Sequence, residues 1–114
     1  MSPITTHILD TAKGCPAARV TAYLSHRDAN GHWQELARGE TNGDGRIGDW
    51  LPDETRLLPG HYRIEFHIGA YFEAQQRAAF YPEAVIVFRV HDPSQHYHVP
   101  LLISDFGYTT YRGS

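Results

Sequence analysis

His96-Tyr97-His98-Val99-Pro100-Leu101-Leu102-Ile103-Ser104-Asp105-Phe106-Gly107-Tyr108-Thr109-Thr110-Tyr111-Arg112-Gly113-Ser114 is the last stretch of the chain, and it reads as two strands around a turn. Side chains alternate faces along a strand, so His96 and His98 point one way and Tyr97 and Val99 the other. A second strand is predicted from Phe106 to Tyr111. The polar ending Tyr111-Arg112-Gly113-Ser114 follows this apolar pattern directly. Chain ends usually fray unless something holds them, so this one is expected to be tied down.

Working outward, the remaining turn and strand signals fit one domain spanning residues 1–114. Hydrophobic content of 41% and charged content of 20% are those of an ordinary globular chain. A net charge of −3 leaves no basic excess to neutralise phosphates, which argues against a nucleic-acid partner. The eight histidines are mostly neutral at pH 7. Cys15 is the single cysteine, so no intrachain disulfide forms. No apolar run approaches the ~18 residues of a membrane span, and no charged-then-apolar leader precedes Thr5. The expectation is a cytoplasmic protein with no membrane partner.

Thr5 to Asp10 reads as a short strand before a Gly14/Pro16 turn. From 18 to 26, Val20, Ala22 and Leu24 alternate with Arg19, Thr21, Tyr23 and Ser25. Asp28-Ala29-Asn30-Gly31 is a hairpin signal, with Trp33 to Thr41 as the returning strand. Asn42-Gly43-Asp44-Gly45 is a second tight turn, left by Arg46-Ile47, and 49–59 is a loop. His61 to Ile68 has the cleanest alternation, Tyr62, Ile64, Phe66 and Ile68 against His61, Arg63, Glu65 and His67. A helix is predicted over Tyr71 to Ala79, and Ala84 to His91 is apolar enough for a central strand. About eight short strands and one short helix make an all-β chain, an antiparallel β-sandwich.

Several motifs have competing readings. His96 and His98 make either a polar strand face or part of a site. With His7 they could also form the three-histidine set of a zinc module, although the tail offers no clear carboxylate to orient their rings. Arg46 is either a solvated surface residue or a planar donor held by its turn. Glu40, Asn42, Asp44 and Gly45 imitate the start of a calcium loop, but Leu51 stands where a bidentate glutamate is required. No Gly-x-Ser-x-Gly elbow occurs, and Cys15 has no base beside it in sequence.

Four segments together resemble the transthyretin-like 5-hydroxyisourate hydrolases: Thr6-His7-Ile8-Leu9-Asp10-Thr11, with Gly14, Pro16-Ala17 and Val20; Thr41-Asn42 with Asp44-Gly45-Arg46; Gly69-Ala70-Tyr71-Phe72; and the tail. The resemblance implies a transthyretin-like fold in a homotetramer, with active sites at the dimer–dimer interface and no metal or cofactor. It implies His7, Arg46 and His98 as the catalytic set. His96, Tyr111, Arg112 and Ser114 would then bind the small-molecule substrate. Asp105 departs from the family pattern, which usually has proline there, and is expected to alter a turn rather than the chemistry. Ring-opening hydrolysis needs a base for water and a donor for the oxyanion, tasks suited to a neutral histidine and a fixed arginine. Because function belongs to the site rather than the fold, a small-molecule carrier of the transthyretin type is the alternative. His7, His98 and the Tyr-Arg-Gly-Ser ending resemble the enzyme.

Overall fold

Alternation of apolar and polar side chains can be satisfied only if each strand has an inner and an outer face. A computed structural model describes residues 2–114 and shows two sheets packed on those inner faces. The strands are β1 (Ile4–Asp10), β2 (Cys15–Pro16), β3 (Thr21–Arg27), β4 (Trp33–Glu40), β5 (Arg46–Ile47), β6 (Gly60–Phe66), β7 (Ala84–Val90), β8 (Tyr97–Ser104) and β9 (Gly107–Thr110); helix α1 is Ile68–Glu73. One sheet runs β2-β1-β8-β9, with β5 also pairing β1; the other runs β4-β3-β6-β7. Ile4 and Ile8 of β1, Leu24 of β3, Ile64 and Phe66 of β6, and Leu101 and Ile103 of β8 are fully buried between them. The sandwich expected from the sequence is therefore present.

Three elements differ from expectation. β1 and β8 pair in parallel, so the first sheet is mixed rather than purely antiparallel. β7 is an edge strand, with Val85 and Val87 41% and 55% exposed. Its apolar run suggests a central strand, but hydrophobicity does not say what covers a face. The helix begins three residues earlier than predicted, at Ile68, and ends at Glu73. Gln76 takes a left-handed φ of 59°, which stops it, and the Arg77 amide folds back onto the Phe72 carbonyl.

That early stop places Arg77 between two carboxylates. Its Nη1 donates to Asp10 Oδ2 at 2.6 Å and its Nη2 to Asp105 Oδ1 at 2.5 Å. Asp10 is fully buried and also accepts from the Tyr71 hydroxyl at 2.8 Å. Burial pushes the Asp10 carboxyl up, but Arg77, Tyr71 and the Lys13 amide outweigh it and hold it below the ordinary range. Asp105 thus ties the β8–β9 turn to the segment after α1, a role beyond turn shape. Asp105→Pro is expected to cost about 1 kcal/mol, because the pair is partly exposed and Arg77 keeps Asp10. Urea unfolding of the two proteins measures this as a lower midpoint with an unchanged slope.

Candidate active site

The outward face of the five-stranded sheet collects the polar residues. Thr5 and His7 are two apart on β1, so both point outward while Ile4, Thr6 and Ile8 point into the core. The antiparallel β1–β5 register sets Arg46 opposite His7. The parallel β1–β8 register sets His98 opposite Thr5. Residues distant in sequence thus meet on one surface.

Arg46 is held by its turn. Asn42 Oδ1 accepts from the amides of Asp44 at 2.9 Å and Arg46 at 3.0 Å, and the Ile8 amide donates to the Gly45 carbonyl at 2.7 Å. Gly45 has φ 76° and lies so close to β1 that any side chain would run into the Ile8 carbonyl. The Asn-Gly-Asp-Gly segment therefore delivers the arginine at a defined place, while its side chain stays exposed.

His98 is fixed on two sides. Its Nδ1 lies 2.7 Å from Thr5 Oγ1, which is also 2.9 Å from His96 Nε2. The Gly113 amide donates to the His98 carbonyl at 2.8 Å, so the tail crosses the strand at this histidine. A Cβ on Gly113 would stand 2.6 Å from His98 Cδ2, so only glycine lets the tail lie against the ring. His96 lies one residue before β8, exposed, on the same side as His98. The Thr5 hydroxyl engages one nitrogen of each ring, and among the described residues His7, His96 and His98 do not come together as a metal-binding group.

Arg46, His96, His98 and Ser114 line a cleft of about 190 Å³ together with Thr5 and Gly48. His7 flanks it without lining it, near enough that its charge acts on His98. Burial lowers the His98 pKa below its ordinary value, followed by the charges of Arg46, His96 and His7. Burial and then Arg46 lower His7 as well, while a hydrogen bond to the Asp44 backbone and the Asp44 charge pull it back. Both imidazoles are thus biased toward neutrality beside an arginine whose backbone is held by its turn.

Tyr111 and Arg112 do not line this cleft. They line a groove of about 250 Å³ with Phe88, Tyr97 and His98 near the β7 and β9 edges. The Arg112 guanidinium lies 4.4 Å over the Tyr97 ring and donates to Gln95 Oε1 at 3.0 Å. Within one chain the tail therefore divides: Ser114 meets the cleft, Tyr111 and Arg112 meet the groove, and His98 borders both. Thr5 and Gly113 were not among the sequence candidates. Thr5 had a faint signal, its position two before His7, but its partner depends on which strand lies beside β1.

Residues 4–113 match the HIUase/Transthyretin family. The chain belongs to this family. A relative from Caulobacter vibrioides named 5-hydroxyisourate hydrolase is 47% identical over 118 residues, covering 100% of both chains. The solved Klebsiella pneumoniae 5-hydroxyisourate hydrolase has a TM-score of 0.84 at 37% identity, covering 97% of this chain and 98% of that one. Sea bream transthyretin, solved in complex with thyroxine, has a TM-score of 0.91 at 37% identity, covering 97% and 94%. The HIUase/Transthyretin fold thus includes both a hydrolase and a thyroxine-bound protein at equal identity, and the cleft chemistry must separate them. In this member of the HIUase/Transthyretin family the cleft holds the Arg46 guanidinium and the His98 imidazole, with His7 at its flank, and both His98 and His7 are biased toward neutrality.

Proposed function

We propose that the protein hydrolyses 5-hydroxyisourate, the unstable product of urate oxidation, to the ureidoimidazoline acid that follows it. The observation that carries this reading is the convergence of His7, Arg46 and His98 on one sheet face beside a small cleft. The hydrolase names of the relatives support it. Water gives a proton to an imidazole as its oxygen bonds the substrate carbonyl carbon, and Arg46 stabilises the tetrahedral oxyanion. The intermediate then collapses, the ring C–N bond breaks, and the imidazolium returns its proton to the departing nitrogen. His96 and Ser114 line the cleft that orients the planar ring. No step requires a metal or cofactor.

The homotetramer belongs to the same proposal. Strands β7 and β9 end their sheets with unpaired edges. Near them Phe80, Tyr81, Phe106 and Tyr108 form an exposed aromatic patch, with Phe106 80% and Phe80 69% exposed. A second copy is the partner that would cover such edges and rings together. Tyr111 and Arg112 would then act on the substrate from a neighbouring subunit or brace the tail from behind. Among the described residues no helix is long and apolar enough to cross a membrane. The free Cys15 fits the cytoplasmic setting proposed here.

The test is to generate 5-hydroxyisourate with urate oxidase and follow its ultraviolet decay with and without the protein, then again with a chelator. Acceleration that survives the chelator is the expected result. Unchanged decay together with tight thyroxine binding would favour the carrier reading, which the sea bream structure motivates.

The pH dependence follows from the lowered histidine values. A base with its pKa below the ordinary ~6.5 stays unprotonated at pH 7 and is lost only on further acidification. Activity is therefore expected to be level above pH 7 and to fall through an apparent pKa below ~6.5. A rate profile corrected for spontaneous decay checks this, and constant activity from pH 5 to 8 would remove histidine as the base.

A further inference from the structure

Thr5 stands between two histidines, and the chemistry of a hydroxyl constrains both. The residue is 5% exposed, and its Oγ1 lies 2.7 Å from His98 Nδ1 and 2.9 Å from His96 Nε2. A hydroxyl carries one hydrogen. It donates to one ring and must accept from the other, so the two imidazoles are bound into complementary tautomers. Either His98 presents Nδ1–H to Thr5 and His96 a bare Nε2, or the reverse.

The surroundings of His98 choose between these. Its Nδ1 faces Thr5 and its Cδ2 edge lies against Gly113, so Nε2 is the ring nitrogen left for the cleft. The groups that act on the ring are Arg46 on β5, His7 on β1 and His96 before β8, and of these Arg46, which lines the same cleft, is the permanent cation. Beside Arg46, a bare Nε2 lone pair is electrostatically favoured over an N–H directed toward the cation.

We infer that Thr5 is a positioning residue that holds His98 in its Nδ1–H tautomer, accepting that hydrogen while donating its own to His96 Nε2. His98 Nε2 is thereby presented unprotonated to the cleft. The catalytic consequence rests on the hydrolase reading: Nε2 takes the proton of the attacking water, and the resulting imidazolium still donates its Nδ1–H to Thr5. The base is then His98, and His96 serves as the acceptor that orients the threonine hydroxyl. A hydroxyl here does the orienting that a carboxylate does in a serine-protease triad, without adding a negative charge that would raise the pKa of the base.

The direct test is the long-range 1H–15N spectrum of histidine-labelled full-length protein near pH 7.5, with His98 and His96 assigned by substitution. Both are expected as Nδ1–H tautomers, and an Nε2–H tautomer at His98 overturns the inference. In Thr5→Val, which keeps the shape and loses the hydroxyl, kcat is expected to fall about tenfold or more, part of the ~10²–10⁴ a general base supplies. KM should change little, His98 should become a tautomer mixture, and Thr5→Ser should restore both readouts. Wild-type kcat in Thr5→Val, with the unsubstituted protein active, would sink the role of Thr5 and leave the hydrolase reading standing. An inactive unsubstituted protein would instead sink the hydrolase reading, with the spectrum still deciding the tautomer.

Discussion

Alanine at His98, Arg46 or His7 is expected to lower turnover of 5-hydroxyisourate by about 10² or more each, the scale of a lost general base or oxyanion donor. The three act on one event, so a double substitution should cost much less than the product of the single losses. Arg46→Lys is the informative intermediate. It keeps the charge but loses the planar fork, so it should recover part of the loss, with kcat and kcat/KM falling together if the contact forms only in the transition state. His32 is the proper control: it is exposed in the turn between β3 and β4, which belong to the sheet opposite β1 and β8. His26 is not a neutral control, because its ring packs 4.5 Å from that of Tyr62 and contributes to the sandwich. Steady-state rates with circular dichroism on each variant check the prediction. A His32→Ala loss equal to that of His98→Ala would show that the site lies elsewhere.

Deleting Tyr111 to Ser114 is expected to abolish hydrolysis and leave a folded sandwich. Every buried apolar core residue lies between Ile4 and Ile103, so the deletion removes no core. It does remove the Gly113 amide bond to His98, the Arg112 stack on Tyr97 and the Ser114 wall of the cleft. His98 then loses the backbone that lies along its Cδ2 edge, and the cleft opens to water. Gly113→Ala reaches the same point without shortening the chain, since its Cβ would stand 2.6 Å from the His98 ring and one of the two must move. Circular dichroism, sizing and the ultraviolet assay on both variants separate loss of site from loss of fold. Full activity in a folded, correctly assembled truncation would make the tail dispensable.

The local pattern of the sequence determined which faces are buried. Tyr62, Ile64 and Phe66 alternate as predicted and form one wall of the core, and Ala22 and Leu24 of β3, with Val20 just before it, do the same. Turn chemistry was equally legible: Asn42 to Gly45 needs a glycine at positive φ and an asparagine that bonds ahead, and both are where the residues placed them. The family-like motifs carry His7, Arg46 and His98 in the sequence itself. Tertiary structure alone decided who stands beside whom. The parallel pairing of β1 with β8 joins residues about ninety positions apart and puts Thr5 against His98. The choice of β5 as the other neighbour of β1 puts Arg46 across from His7. The exposed position of β7, the early end of α1 and the Arg77–Asp105 pair are decisions of the same kind. A strand's own residues state which of its faces is apolar. Its neighbours are set by how all the apolar faces are buried at once, a property of the whole chain that no local stretch contains.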